Sequence, residues 1–236
     1  MPRSQHFVII LTNCIRYRNN FGLQGSRLER GVAAAAIHVY DVYMDTREKI
    51  LAAARKAFDR HGLDGLSLRK VAAKVGITPM AIYRHFDSKE ALVDALVLDA
   101  LEDWSARVAA LPAAEGLARL EQVGEAFLDF ALREPRRFEA AFLLPSRKAR
   151  RYPDDFAAGR SPAGNVQLRA LEEGIRGGQL AGAPPVEIML INSALSQGLI
   201  TLYRAGRIAG GEEEFRALYR RAVRLVFQSF RVEQTR

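Results

Sequence analysis

Residues 67–89 read SLRKVAAKVGITPMAIYRHFDSK, and they gather the side chains of this chain best suited to a polyanion. Two short apolar-periodic stretches flank one glycine turn at Gly76. Thr78, Tyr83 and His85 bring O–H or ring N–H donors. Arg69 and Lys89 bring cations, and Pro79 and Met80 bring compact apolar surface. A helix carrying such groups can lie in the major groove of DNA while its neighbours hold the backbone. Thr78 suits a phosphate or a base edge, and Pro79 and Met80 suit a thymine methyl. Tyr83 and His85 suit phosphates. Lys89 falls in the first turn of a further helix, where its ammonium and the free backbone N–H groups can share one phosphate. Arg69, near the start of the preceding helix, can reach a guanine edge or a phosphate.

Helices must position these groups. Ile50, Leu51, Ala54, Ala57 and Phe58 recur at spacings of three and four, which predicts a first helix. Asp45 or Thr46 can cap it, with Glu48 at capping-box spacing, and His61-Gly62 ends it. Ser67 caps a second helix over 68–75. Thr78 caps a third, which runs to Arg84 with Pro79 in its first turn. Asp87 and Ser88 cap a fourth that runs to about residue 110. A fifth is predicted over about 115–133 and a short one over 135–144. Residues 145–162, PSRKARRYPDDFAAGRSP, have no clear period and read as a mobile loop. A further helix covers about 164–176. Residues 188–203 contain no charged side chain, so that helix should be buried on most sides. The last helix, 212–231, sets Phe215, Leu218, Tyr219, Ala222, Val223, Val226 and Phe230 on one face and Arg216, Arg220, Arg224 and Arg231 opposite. Only residues 7–11, FVIIL, read as a strand. The fold class is therefore all-α.

Charge agrees with where the motif lies. Residues 44–92 carry 10 basic and 6 acidic groups, whereas residues 93–236 carry 20 and 19. A local basic excess is the electrostatic footprint of a polyanion partner. Other classes find little support. His6, His38, His61 and His85 are scattered, and Cys14 is the single cysteine, so no catalytic or metal site is expected. No nucleophile motif or phosphate-cradling glycine loop is present, so neither an enzyme nor a cofactor is expected. No apolar run approaches the roughly 20 residues that span a bilayer, so no membrane partner is expected. A lone cysteine fits a reducing, cytoplasmic setting.

The order GITPMAIYRHFDSKEAL resembles the TetR family of bacterial transcriptional regulators. It offers a glycine turn, Thr-Pro at the recognition-helix start, Tyr-x-His-Phe and then Ser-Lys-Glu-x-Leu. The preceding TREKILAAARKAFDRHG matches as well, so residues 45–92 carry the resemblance. It implies DNA contacts at Ser67, Arg69, Thr78, Pro79, Met80, Tyr83, His85 and Lys89. It also implies a homodimer whose small N-terminal helix-turn-helix domain binds a DNA operator. A larger helical domain then binds a small molecule and dimerises through the last two helices, about 184–206 and 212–231. The C-terminal part resembles the subgroup with a Trp-x-x-His-Gly pattern. Ser196-Gln197-Gly198-Leu199 stands at that place, without the Trp and His.

The expected organisation has three parts. Residues 1–43 form an extension that is either a disordered basic arm or a mis-assigned start, with translation beginning at or near Met44. Residues 44–92 form the helix-turn-helix DNA-binding domain, and 93–236 the ligand-binding and dimerisation domain. Trp104, Phe127, Phe130, Phe142, Asn192 and Gln197 are the candidates for the ligand pocket. With Phe138 and Phe156 the four aromatic candidates form one set, in which each ring taken singly is more readily core than pocket wall while some together should line a cavity. The expected activity is repression, lifted when a small-molecule ligand releases a palindromic operator. The alternative is a helical small-molecule sensor or carrier that has lost operator binding.

Overall fold

The computed structural model describes residues 45–232. The strand expected at 7–11, Cys14 and the boundary at Met44 lie outside these residues. The described residues divide into two compact units between Leu92 and Val93.

The first unit is built from three helices and the start of a fourth. Helix α1 covers 45–61, α2 Leu68–Val75, α3 Pro79–Ile82, and α4 begins at Lys89. Asp45 is already helical, and its carboxylate accepts from Lys49 Nζ at 2.5 Å. Ile50, Ala54 and Phe58 of α1 are buried against Leu66, Val71, Ala72, Ile82 and Phe86. Each large apolar side chain so buried stabilises the unit by roughly 1.5–3 kcal/mol before entropy is counted. Arg47 lies 4.8 Å above the Phe86 ring, a cation–π contact between α1 and the segment after α3.

The second unit contains the rest of α4 (Lys89–Ala109), then α5 (Gly116–Arg133), α6 (Pro135–Phe142) and α7 (Asp154–Ala157). Helices α8 (Pro162–Arg176), α9 (Pro185–Arg204) and α10 (Glu212–Ser229) complete it. Helix α5 packs on α8 and α6, and α9 packs on α10, α8 and α5. Leu120, Leu128, Phe130, Phe138, Leu171, Ile188, Ile200 and Phe215 fill the interior. Tyr203 lies flat on Phe215, with ring centroids 4.0 Å apart.

Several expectations change. The segment 145–162 is not featureless. It contains the one-turn helix α7, and it is tied to α4 through buried Asp94, which accepts from Ser146 Oγ at 2.7 Å and Arg147 N at 3.2 Å. Second, α9 is not buried on most sides, since Leu190, Ile191 and Leu202 are exposed. The lack of charge arises because α9 is apolar on a covered face and on an open one. At 20 residues and a mean hydropathy of 1.2, α9 is also long and apolar enough to cross a bilayer, contrary to the expectation. Its contacts with α8, α10 and α5 place one face in a protein core. Third, α10 stops at Ser229, and Arg231 pairs in an isolated antiparallel bridge with Leu180.

Candidate functional site

The edge of α2 and α3 is assembled from local backbone chemistry. Ser67 stands at the N-cap of α2 with extended backbone, but its hydroxyl makes no capping hydrogen bond there. Its O–H therefore remains able to reach outward. At the far end Gly76 has φ 79° and ψ 30°, a left-handed conformation that costs a side-chain-bearing residue more than glycine. The turn is closed by the Ile77 N–H, which donates to Ala72 O at 3.0 Å. Thr78 then caps α3: its Oγ1 accepts from Ala81 N at 3.2 Å, and Pro79 occupies the first turn, where no backbone donor is needed.

Helix α3 is shorter than its sequence pattern, because regular hydrogen bonding ends at Ile82. Tyr83, Arg84 and His85 lie in a turn instead, with Arg84 N donating to Ala81 O and His85 N to Ile82 O. Ile82 and Phe86 anchor this turn in the core. The opposite side is open. Met80 is 73 % exposed and Tyr83 46 %, two large side chains open to solvent one helical turn apart. Thr78, Pro79, Arg69 and Lys89 are also exposed, while Ser67 and His85 are half-buried.

Ser88 Oγ accepts from Ala91 N at 3.1 Å and caps α4, so Lys89 begins a helix whose first backbone N–H groups point outward. Burial lowers the pKa of His85 below 6.5, assisted by the Arg47 and Arg84 cations. Neutral His85 carries one ring N–H, enough to donate to a phosphate oxygen. The structure thus sets Thr78, Pro79, Met80, Tyr83 and Lys89 on accessible surface in one short stretch. Such a surface can accept the phosphates and base edges of a duplex.

A second feature lies wholly within the second unit. A cavity of about 510 Å³ is bounded by α4, α5, α6, α8, α9, α10 and the 145–162 segment. That volume suits a drug-sized molecule. Trp104, Phe127, Phe142, Asn192 and Gln197 line it. Phe130 does not. It is 1 % exposed and stacks at 5.9 Å on Trp104, within the core beside Phe138. Helical spacing alone does not fix rotation, and Phe127 and Phe130, three residues apart, fall on different sides of that boundary.

Sequence reasoning missed Tyr219, which meets Ser196 at the cavity from a different helix. The Tyr219 hydroxyl lies 3.1 Å from Ser196 Oγ and 3.3 Å from Gly124 O. Burial pushes the Tyr219 pKa up to about 12, so it stays protonated. Its place on the apolar stripe of α10 was the available signal, but that stripe reads equally as core.

An ion cluster stands outside the cavity lining. Arg137 of α6 is buried and donates to Asp99 Oδ2 at 2.7 Å and to Asp103, both on α4. Burial would lower its pKa, but the hydrogen bonds it donates to Asp103 and Asp99 raise it, so the guanidinium remains charged.

Residues 50–96 match the family model described as bacterial regulatory proteins, tetR family. Residues 120–226 match a tetracyclin repressor-like C-terminal domain. The HTH-type transcriptional regulator UidR of Escherichia coli strain K12 is 40% identical over 62 residues, covering 26% of this chain and 32% of that protein. The tetracycline repressor protein class D of Escherichia coli is 42% identical over 55 residues, covering 23% of this chain and 25% of that protein. The chain thus spans about a third or less of the length of these curated relatives. A solved structure of a protein with unknown function from Rhodococcus sp. RHA1 superposes with a TM-score of 0.63 at 23% identity. It covers 79% of this chain and 95% of that one, a likeness of fold.

Proposed function

Since this chain belongs to the TetR family of bacterial regulatory proteins and carries its helix-turn-helix, we propose that it is a repressor of transcription. A small molecule entering the cavity of the second unit lifts the repression. The matching families and relatives are regulators rather than enzymes. The observation that carries the reading is the exposed edge of α3, where Met80 is left 73 % open beside the capping Thr78 and Pro79. In this reading Thr78, Pro79 and Met80 meet base edges. Ser67, Arg69, Tyr83, His85 and Lys89 hold phosphates on either side. The protein acts in the cytoplasm, where the operator is.

The second unit supplies the dimer and the effector site. Leu190, Ile191 and Leu202 of α9 and Leu225 of α10 form exposed apolar surface. Ala194 and Gly198 lie on the same helix, both exposed, and a Cβ at Gly198 would meet open space. Small residues four apart let a second helix approach closely. A two-fold pairing of α9 and α10 with their copies covers this face and presents two recognition helices to a palindromic operator. The effector fills the cavity walled by Trp104, Phe127 and Phe142.

The experiment is a gel shift of the full chain on the DNA upstream of its own gene, at a stated salt concentration. A saturable, competitor-resistant shift is expected. Binding no tighter than to random duplex would remove the repressor reading and leave a sensor or carrier.

A further inference from the structure

Among the buried side-chain polar atoms of the cavity wall, one is left without a hydrogen-bond partner. Among the described residues Asn192 Oδ1 is buried and has no hydrogen-bond partner, and Asn192 lines the cavity. A buried acceptor without a donor is costly, and the cost is recovered when a donor arrives. The buried hydroxyls of Tyr219 and Ser196 on the same wall bond to each other, and Gly124 O is within reach of the Tyr219 hydroxyl. Charge is kept from the interior. The wall's charged residues, Glu102 and Arg150, are both exposed and of opposite sign, and Arg150 Nη1 donates to Lys148 O at 3.2 Å. The remaining surface is dominated by rings. Trp104 meets Phe127 edge-to-face at 5.4 Å and Phe142 at 5.9 Å, and Phe127 meets Phe142 at 5.0 Å. Such a set is completed favourably by another aromatic ring.

We infer that the cavity takes an uncharged, largely aromatic molecule carrying an N–H or O–H group that donates to Asn192 Oδ1. This rests on the reading that the cavity is the effector site, and it fixes the chemical class of that effector. A charged carboxylate or ammonium has no buried counter-ion in the wall. A purely hydrocarbon ligand would leave Asn192 as it is.

The test uses the full chain without DNA, titrated by calorimetry with indole, 1-methylindole and indole-3-acetate. Indole is expected to bind roughly 3- to 10-fold tighter than 1-methylindole, the gain of one net hydrogen bond. Indole-3-acetate is expected at least about 10-fold weaker than indole, since its carboxylate must be desolvated. Asn192→Leu should bring the indole to 1-methylindole ratio to about one. It should not lower Tm, because it removes an unserved acceptor. A wild-type ratio near one overturns the assignment, as does failure of all three probes to bind. Tightest binding by indole-3-acetate, lost in Arg150→Gln, overturns it in favour of an anion at the cavity rim. Operator binding is measured separately. A chain that binds indole but no operator contradicts the repressor reading alone, and one that binds operator but shows no donor preference contradicts this assignment alone.

Discussion

Replacing Lys89 with alanine should flatten the salt dependence of DNA binding without harming the fold. Lys89 is exposed in the first turn of α4, directly after the Ser88 cap, with outward N–H groups beside it. A phosphate held there releases about 0.9 of a condensed counterion, so the slope of log K against log salt should fall by about 0.9 per protomer. A dimer on two half-sites loses about 1.8. From 50 to 200 mM salt the affinity gap between wild type and variant should then narrow by about 12-fold. Fluorescence anisotropy on operator and on random duplex reads this directly, and both DNAs should show the same change because a phosphate contact carries no sequence information. The variant also removes a cation from a helix N-terminus, so Tm should hold or rise slightly. An unchanged slope refutes the reasoning, because Lys89 would then be a solvated surface lysine.

Three further outcomes follow from the same geometry. Arg137→Met removes the buried partner of Asp99 and Asp103 and should cost about 1–3 kcal/mol in denaturant unfolding, since both carboxylates keep some access to water; the double replacement of both aspartates by asparagine in that background should recover part of it, and no recovery would show that the ion cluster is not the cause. His85 has a folded pKa below 6.5, so the unfolded chain binds its proton more readily and stability should fall as pH drops through 6.5; phosphate contact acts the other way, so operator affinity should rise from pH 8 to pH 6 and lose that increment in His85→Gln, whereas identical pH profiles would exclude the contact. Placing glutamate at Ile191 and Leu225 should halve the mass seen in sedimentation, and a wild type already monomeric at micromolar concentration would remove the proposed α9–α10 pairing.

Much of the helix-turn-helix was legible in the sequence because its determinants are local. Gly76 supplies a left-handed turn, Thr78 a cap and Pro79 a first turn, and each acts within four residues of itself. The short end of α3 was not legible, since the anchoring of Ile82 and Phe86 in the core overrides continued helical hydrogen bonding. Long-range partners were equally hidden. Tyr219 and Ser196 are 23 positions apart, and Tyr219 and Gly124 are 95 apart. Arg137 reads as a solvated charge until α4 supplies Asp99 and Asp103. Helix α9 misled for a different reason. A sequence without charge predicts burial but not whether the covering surface belongs to the same chain.

The central claim is that the exposed α3 edge reads DNA, and selection of bound duplexes from a random library with the full chain tests it most directly. The account predicts enrichment of a two-fold-symmetric motif, with altered base preference in each half-site when Met80 or Thr78 is replaced. A library that shows no enriched motif, or the same motif for wild type and for both variants, would contradict it.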